Sequence, residues 1–304
     1  MATTTSITTS YSGEGGKEYI AAALLSGSTI ENGLITVKPN VKHKEVLKKV
    51  STDGLLKDAS CDFTATSTLT LTERVLNPKE LQINVDLCKK DLLADWQAAQ
   101  MRAGAHNRDM SNDFTAFVMS YLSGTIADAV ESSIWSGAEA TGGQFEGFLT
   151  ATTGYFATDG TVGTDSATAA YTADNVIANL QSLVAAVPAQ VYTKEDLYIY
   201  MNAKTYRFYI SAISALSAFP FNHMGQYSPE FEGVKIAVCQ GLPDNQMVAA
   251  QKSNLFFGTD LISDHSEIRM LDMSDLDGSD NIRVVAKFTG GVQHGIGADI
   301  VHQS

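Results

Sequence analysis

The sequence predicts an α+β chain, and three patterns predict it. Between Leu34 and about Asp95 apolar residues recur mostly with a period of two, the signature of strands. From Phe114 to Ile134 they recur at helical spacing over a long stretch. Between Thr172 and Gln251 helical and strand patterns alternate, as in a mixed α/β unit.

The opening dozen residues, with Thr3, Thr4, Thr5, Thr8 and Thr9, show no apolar periodicity. They cannot bury enough surface to order themselves, so an arm that depends on a neighbour is expected. Leu34 to Val37 begin the strand region, followed by Thr66 to Leu71 and then by Leu81, Ile83 and Val85 alternating with Gln82, Asn84 and Asp86. Thr52-Asp53-Gly54 and Asn77-Pro78 supply the turns. The stretch from Ser51 to Thr68 carries little bulky apolar material. A two-stranded excursion of that composition is marginal alone and implies packing on something outside its own domain.

Ser111-Asn112-Asp113 offers N-cap chemistry, after which Phe114, Phe117, Val118, Tyr121, Leu122, Ile126, Val130 and Ile134 define one helix face. Run to Trp135, before Gly137, this helix is about 35 Å long and can cross a whole domain. Gly124 weakens it by up to ~1 kcal/mol, so close packing or a bend is expected there. Ala138 to Tyr171 reads as strands and loops, because flexible positions separate Phe145, Phe148, Leu149, Tyr155 and Phe156. Thr172 is expected to cap a second helix through Val176, Ile177, Leu180, Leu183 and Val184, ended by Pro188. Asp196 to Met201 reads as a strand, Ala203 to Ala218 as a third helix, and Val234 to Val238 and Met247 to Gln251 as strands. Three further strands are expected over Glu267–Leu271, Ile282–Phe288 and Gly295–His302, with Asp277-Gly278 as the turn between the first two. No internal repeat of solenoid or propeller length is present.

Composition excludes more than it selects. Of 304 residues 44% are hydrophobic and 18% charged, so a sizeable core is expected. Lys and Arg total 21 against 34 Asp and Glu, and the net charge of −13 disfavours a dedicated nucleic-acid binder. The same charge suits a container of packed DNA, as it suits many proteins. Cys61, Cys88 and Cys239 form no C-x-x-C pair and read as buried thiols in a reducing compartment. The greasiest stretch, Tyr209 to Phe221, is interrupted by Ser211, Ser214, Ser217 and Pro220, so no membrane span is expected. Tyr19 to Leu25 after Lys17 makes a poor signal peptide, and export by that route is not expected.

No chemical motif survives comparison with its simpler explanation. Asp272, Asp275, Asp277 and Asp280 surround Gly278, but a calcium loop in that register would begin at Met273 and close at Val284, so a solvated turn is expected. Gly13, Gly15 and Gly16 before Lys17 lack the spacing of a phosphate loop. Gly290, Gly291, Gly295 and Gly297 lie among strands and read as bulges or close backbone approaches. His43, His106, His223, His265, His294 and His302 include no metal-binding pair at helical spacing, and no G-x-S-x-G elbow occurs. No enzymatic activity, cofactor or metal is expected. Lys38, Lys42, Lys44, Lys48 and Lys49 form a basic stretch, open to three readings: a solvated face, a contact with the acidic surface of a neighbouring copy, or DNA.

An arm, a long β excursion, a spine helix, an α/β insertion and returning strands, in that order, resemble the major capsid proteins of tailed bacteriophages. In detail, Asp196-Leu197-Tyr198-Ile199-Tyr200-Met201-Asn202 before Lys204-Thr205-Tyr206 looks like the strand and helix of that family's axial domain. Gly241-Leu242-Pro243-Asp244-Asn245, Met247-Val248-Ala249-Ala250 and Asn254-Leu255-Phe256-Phe257-Gly258-Thr259-Asp260 look like the return to its peripheral domain. The resemblance implies a Hong Kong 97-type capsid fold. It divides the chain into an N-terminal arm (1–33), an extended β-hairpin loop (34–95), a peripheral domain (96–172) with spine helix 112–136, a mixed α/β axial domain (173–261) and returning peripheral strands (262–304). It also implies self-assembly into hexamers and pentamers of an icosahedral DNA-filled head, built in the host cytoplasm, with portal and scaffold or decoration proteins as further partners. DNA would be enclosed without sequence-specific binding. Phe219, Phe221 and His223, in a loop after the third helix, join the five lysines as candidate intersubunit contacts. A nanocompartment shell of the encapsulin kind and a secreted surface-layer or adhesin protein are the competing structural readings.

Overall fold

The computed structural model describes residues 28–88 (except 53, 55, 60, 62–64 and 66–67), 112–215 (except 168), 229–260 and 268–304 (except 274–277 and 280). The expected arm through Gly16, the Ser111 cap, Phe219, Phe221, His223 and much of the acidic turn around Gly278 lie outside them.

Among the described residues the chain folds around two mixed sheets and a separate hairpin. A short helix α1 (Ser28–Glu31) leads into β1 (Thr36–Lys38). β2 (Glu45–Thr52) and β3 (Leu69–Leu76) pair with each other, and β4 (Lys79–Cys88) follows the Asn77-Pro78 turn. The long helix α2 covers Asn112–Ser136, as its periodicity predicts. After it come α3 (Tyr155–Thr158), β5 (Gly163–Asp165), α4 (Val176–Ala186), α5 (Ala189–Tyr192), β6 (Leu197–Met201) and α6 (Ala203–Ala215). The remaining strands are β7 (Glu230–Phe231), β8 (Val234–Val238), β9 (Met247–Gln251), β10 (Leu255–Gly258), β11 (Ile268–Asp272), β12 (Asn281–His294) and β13 (Val301–Gln303).

β12 organises the five-stranded sheet. Its residues 281–290 pair antiparallel with β4, residues 282–286 also pair with β11, and residues 291–294 pair with β10, which runs parallel to β1. Gly291 permits the turn before β4 to come close, since a Cβ there would stand 2.8 Å from Pro78 Cα. The expected close backbone approach therefore holds at Gly291, whereas at Gly290 the near neighbour is the Phe145 ring, 3.0 Å from where a Cβ would stand.

The core beside this sheet centres on Trp135 at the end of α2. Its ring lies 5.8 Å from Phe148 and 5.4 Å from Tyr200, and its Nε1 donates to Thr29 Oγ1 at 3.0 Å. Here the expectation of strands and loops between Ala138 and Tyr171 misses a helix. α3 is one turn long, too short to show periodicity, and exists because Phe156 stacks on Phe148 with ring centroids 5.1 Å apart.

The second core lies between the six-stranded sheet, ordered β5-β13-β9-β6-β8-β7, and helices α4 and α6. α4 buries Val176, Leu180, Leu183 and Val184, an i, i+4, i+7, i+8 stripe. It begins at Val176 and not at Thr172, because Thr172 N–H donates to Asn175 Oδ1 at 2.8 Å and holds a turn before the helix. Pro188 follows its end as expected. α6 is capped by Asn202, whose Oδ1 accepts from Thr205 N–H at 2.7 Å.

The last segment departs from the sequence expectation. Gly295–His302 is not one strand: a 3-10 turn at Gly297–Asp299 interrupts it, and β13 then enters the six-stranded sheet between β5 and β9. A Cβ on Gly297 would stand 2.0 Å from Asp159 Oδ2, which is why this corner takes glycine. Gln303 locks the strand in place, with Nε2 donating to Asp165 Oδ2 at 2.6 Å and Oε1 accepting from Tyr171 at 2.9 Å.

Candidate intersubunit surface

The β2–β3 hairpin pairs in register from Glu45 opposite Leu76 to Thr52 opposite Leu69. Directly opposed residues share a face and successive residues alternate. One face therefore carries Val46, Val50, Leu69, Leu71 and Val75, with Lys48 opposite Glu73 in its middle. The other carries Glu45, Leu47, Lys49, Arg74 and Leu76.

The apolar face is the exposed one. Val50 is 56% exposed and its partner Leu71 65%, and Val46, Leu69 and Val75 are exposed as well. Residues 45, 47, 49 and 74, on the face with the charges, are half-buried, and Leu76 is fully buried at the base. A hairpin that belonged to this body alone would do the reverse, turning its apolar face inward. Leu56, in the connection beyond β2, is 97% exposed. The hairpin also stands off the body: a cleft of about 810 Å³ opens beside it, lined in part by Lys38, Lys49, Arg74, Asn254, Phe256 and Ile296.

The structure separates the five candidate lysines. Lys38 is drawn inward, paired with Glu45 and lying 5.3 Å from the Phe256 ring centre. Lys42 and Lys44 are exposed in the connection between β1 and β2. Lys48 and Lys49 are neighbours on β2 and so point to opposite faces, Lys48 on the exposed face among the apolar residues and Lys49 on the half-buried one. Alternation along a strand thus divides what reads in sequence as a single basic run.

Two hydrogen-bonded carboxyl groups fix the framework behind this surface. Glu131 on α2 is 3% exposed and accepts from Thr29 N–H at 3.0 Å, from the Thr29 hydroxyl, and from the Ser28 hydroxyl at 3.3 Å. It anchors α1. At the hairpin base, Asp159 accepts from Arg74 of β3 and lies 2.8 Å from His294 Nε2 of β12. Burial by itself would raise the Asp159 carboxyl. The hydrogen bonds from His294 and Thr161 and the Arg74 charge outweigh it and hold the group well below the usual carboxylate range. Sequence reading missed this cluster, and no local signal marks it, because its members are drawn from three distant strands and loops.

Among the described residues no group of three or more His, Cys, Asp or Glu side chains is placed to hold a metal ion. No helix among them is long and apolar enough to cross a membrane.

No protein-family model and no curated protein matches the sequence. Solved structures do match in fold. The capsid of a native GTA particle superposes with a TM-score of 0.67 at 15% identity, covering 94% of this chain and 92% of that one. The capsid of the empty GTA particle gives 0.62 at 15% identity over 94% and 92%. The capsid of Myoviridae phage XM1 gives 0.57 at 14% identity over 92% of each chain. The α+β architecture of this chain, with its mixed sheets, is therefore similar in fold to these capsid chains over most of its length.

Proposed function

We propose that this chain is the major capsid protein of a tailed phage or related particle, and that copies of it form hexamers and pentamers closed into an icosahedral shell around double-stranded DNA. The observation that carries this reading is the inside-out hairpin: an apolar face displayed to solvent and a charged face turned to the body. In a shell, the exposed face is covered by a neighbouring copy, and the two-stranded sheet gains the third layer it lacks. The fold shared with capsids over most of the chain supports the same reading.

The role is mechanical. Burial between copies, with interfaces that run to thousands of Å² in permanent assemblies, holds extended segments that are marginal alone. Lys42, Lys44 and Lys48 would meet acidic surface on neighbours, within a chain whose net charge is −13. That charge also keeps the shell from adhering to its DNA, which is enclosed without sequence-specific contact. Phe219, Phe221 and His223 remain candidate contacts near a symmetry axis. Portal, scaffold and decoration proteins are the further partners, assembly takes place in the host cytoplasm, and the mature location is the virion.

Sedimentation of the double variant Val50→Asp, Leu71→Asp tests the hairpin's part. The unsubstituted chain is expected to form large assemblies, and the variant to remain as small species with the same circular dichroism. Assembly of the variant as readily as the unsubstituted chain would remove the hairpin face from the interface.

A further inference from the structure

The hairpin is tied to the body at its base by identifiable groups. Gln293 Nε2 donates to the Val75 carbonyl at 2.9 Å, Lys38 pairs with Glu45, and Arg74 donates to Asp159. The last tie differs in kind, since Asp159 Oδ2 serves two cationic side-chain types at once: the Arg74 guanidinium on the hairpin and His294 Nε2, at 2.8 Å, on β12. The other carboxylate oxygen, Oδ1, accepts from the Thr161 amide at 3.0 Å and its hydroxyl at 2.8 Å. Asp159 is therefore held by the body from one side and holds the hairpin with the other.

His294 is 0% exposed, and its Nδ1 is buried without a partner. The neutral ring, with its proton on Nε2 toward Asp159, satisfies one nitrogen and leaves a bare acceptor at the other. Around it lie the Phe156 ring, edge-to-face with centroids 5.4 Å apart, Gln293, whose Oε1 accepts the His294 backbone N–H at 3.0 Å, and the two charged groups Asp159 and Arg74. His302 lies beyond Phe156, 6.4 Å from that ring. With His294 neutral, one anion meets one cation and the cluster is balanced.

A proton taken from solvent by His294 changes that balance. Two cations then compete for one carboxylate, and they are not equally placed. His294 is enclosed and cannot leave without unpacking β12, whereas the Arg74 side chain is 31% exposed and can turn to water. The buried ion pair that survives is the one between His294 and Asp159, because a buried charge keeps its partner at higher cost than a surface charge does.

We propose that Asp159 is the residue that positions the hairpin, and that His294 operates it: protonation of His294 displaces Arg74 from Asp159 and frees the hairpin to change its angle on the body. Loss of the proton restores the tie. The device belongs to the single subunit and does not depend on the assembly reading.

The test is pulsed electron paramagnetic resonance on the unassembled full chain. Spin labels go on Lys48→Cys in β2 and Gln181→Cys in α4, both exposed sites, with Cys61→Ser and Cys88→Ser as background and the buried Cys239 kept. The expected distance distribution is narrow at about pH 7.5 and shifts or broadens in acid, below the ordinary histidine value of 6.5, because burial and the Arg74 charge lower the His294 imidazole. Asp159→Asn should give the broad distribution at both values, and His294→Gln the narrow one at both. Arg74→Gln, at a half-exposed position, should match Asp159→Asn and covers the case in which that variant fails to fold. His43→Gln, in the connection before β2, should behave as the unsubstituted chain. A distribution unchanged by pH, a narrow distribution in Arg74→Gln, or an acid response that persists in His294→Gln would each overturn the proposal. Failure here would leave the capsid reading standing, since no assembly is measured.

Discussion

Leu76, the last residue of β3 and fully buried, lies directly against Gly258 at the end of β10, where a Cβ would stand 2.7 Å from Leu76 Cδ2. The hairpin thus ends in a plug whose socket depends on the missing side chain. Leu76→Ala is expected to cost about 2–5 kcal/mol and Gly258→Ala about 1–3 kcal/mol, the first by leaving a cavity and the second by overpacking. Chemical denaturation of both variants checks this. Equal stability of Leu76→Ala and the unsubstituted chain would show that the base of the hairpin is not part of the cooperative core.

Glu131 should matter to the body and not to the hairpin. Glu131→Ala leaves the buried Thr29 N–H without its acceptor, and a loss on the order of 2–3 kcal/mol is expected. Glu131→Gln, which keeps one oxygen acceptor, should recover much of that loss. Thermal melts of the two variants decide the matter: equal melting temperatures would mean that the carboxylate does not anchor α1.

Acid should destabilise the fold through its buried histidines. Burial lowers the His302 imidazole to about 4, and its Nε2 has no partner. Burial also lowers His294, with the Asp159 hydrogen bond opposing and the Arg74 charge assisting. A histidine that is harder to protonate when folded stabilises the native state above its unfolded value near 6.5. That stability is lost as pH falls toward 4, and His302 alone accounts for up to roughly 3 kcal/mol. Denaturation midpoints measured across this range should fall with pH, and the fall should be smaller in His302→Gln. An unchanged midpoint would show that His302 is not buried in its neutral form.

How much of this was legible follows from where the information lies along the chain. Helix α2, β6, β8 and β9 follow from periodicity because apolar residues such as Ile126, Val130, Ile134, Ile199, Ile236 and Val248 meet a core as the pattern predicts. The hairpin is legible as a two-stranded excursion from its alternation and turn signals. Its inverted faces are not, because Val46, Val50, Leu71 and Val75 alternate the same way whichever side meets water. The entry of β13 into the six-stranded sheet depends on pairing with β5 and β9, far away in sequence. The Arg74, Asp159 and His294 cluster was invisible for the same reason. The lysines were read as one patch because a linear run does not reveal that β2 sends Lys48 and Lys49 to opposite sides.

The exposed lysines should act between copies. Lys42→Glu with Lys44→Glu is expected to leave the melting temperature of the subunit unchanged, since surface charges away from special features alter stability by less than about 0.5 kcal/mol. Assembly, followed by light scattering, should weaken and lose its dependence on salt. Unaltered assembly across salt concentrations would assign these lysines to a solvated surface.

The central claim is that this chain builds a shell from its own copies. Negative-stain electron microscopy of the purified protein, over a range of concentration and salt, tests it most directly. Closed shells or rings of capsomers are expected. A monomer that persists under every condition, with no particle on any grid, would contradict it.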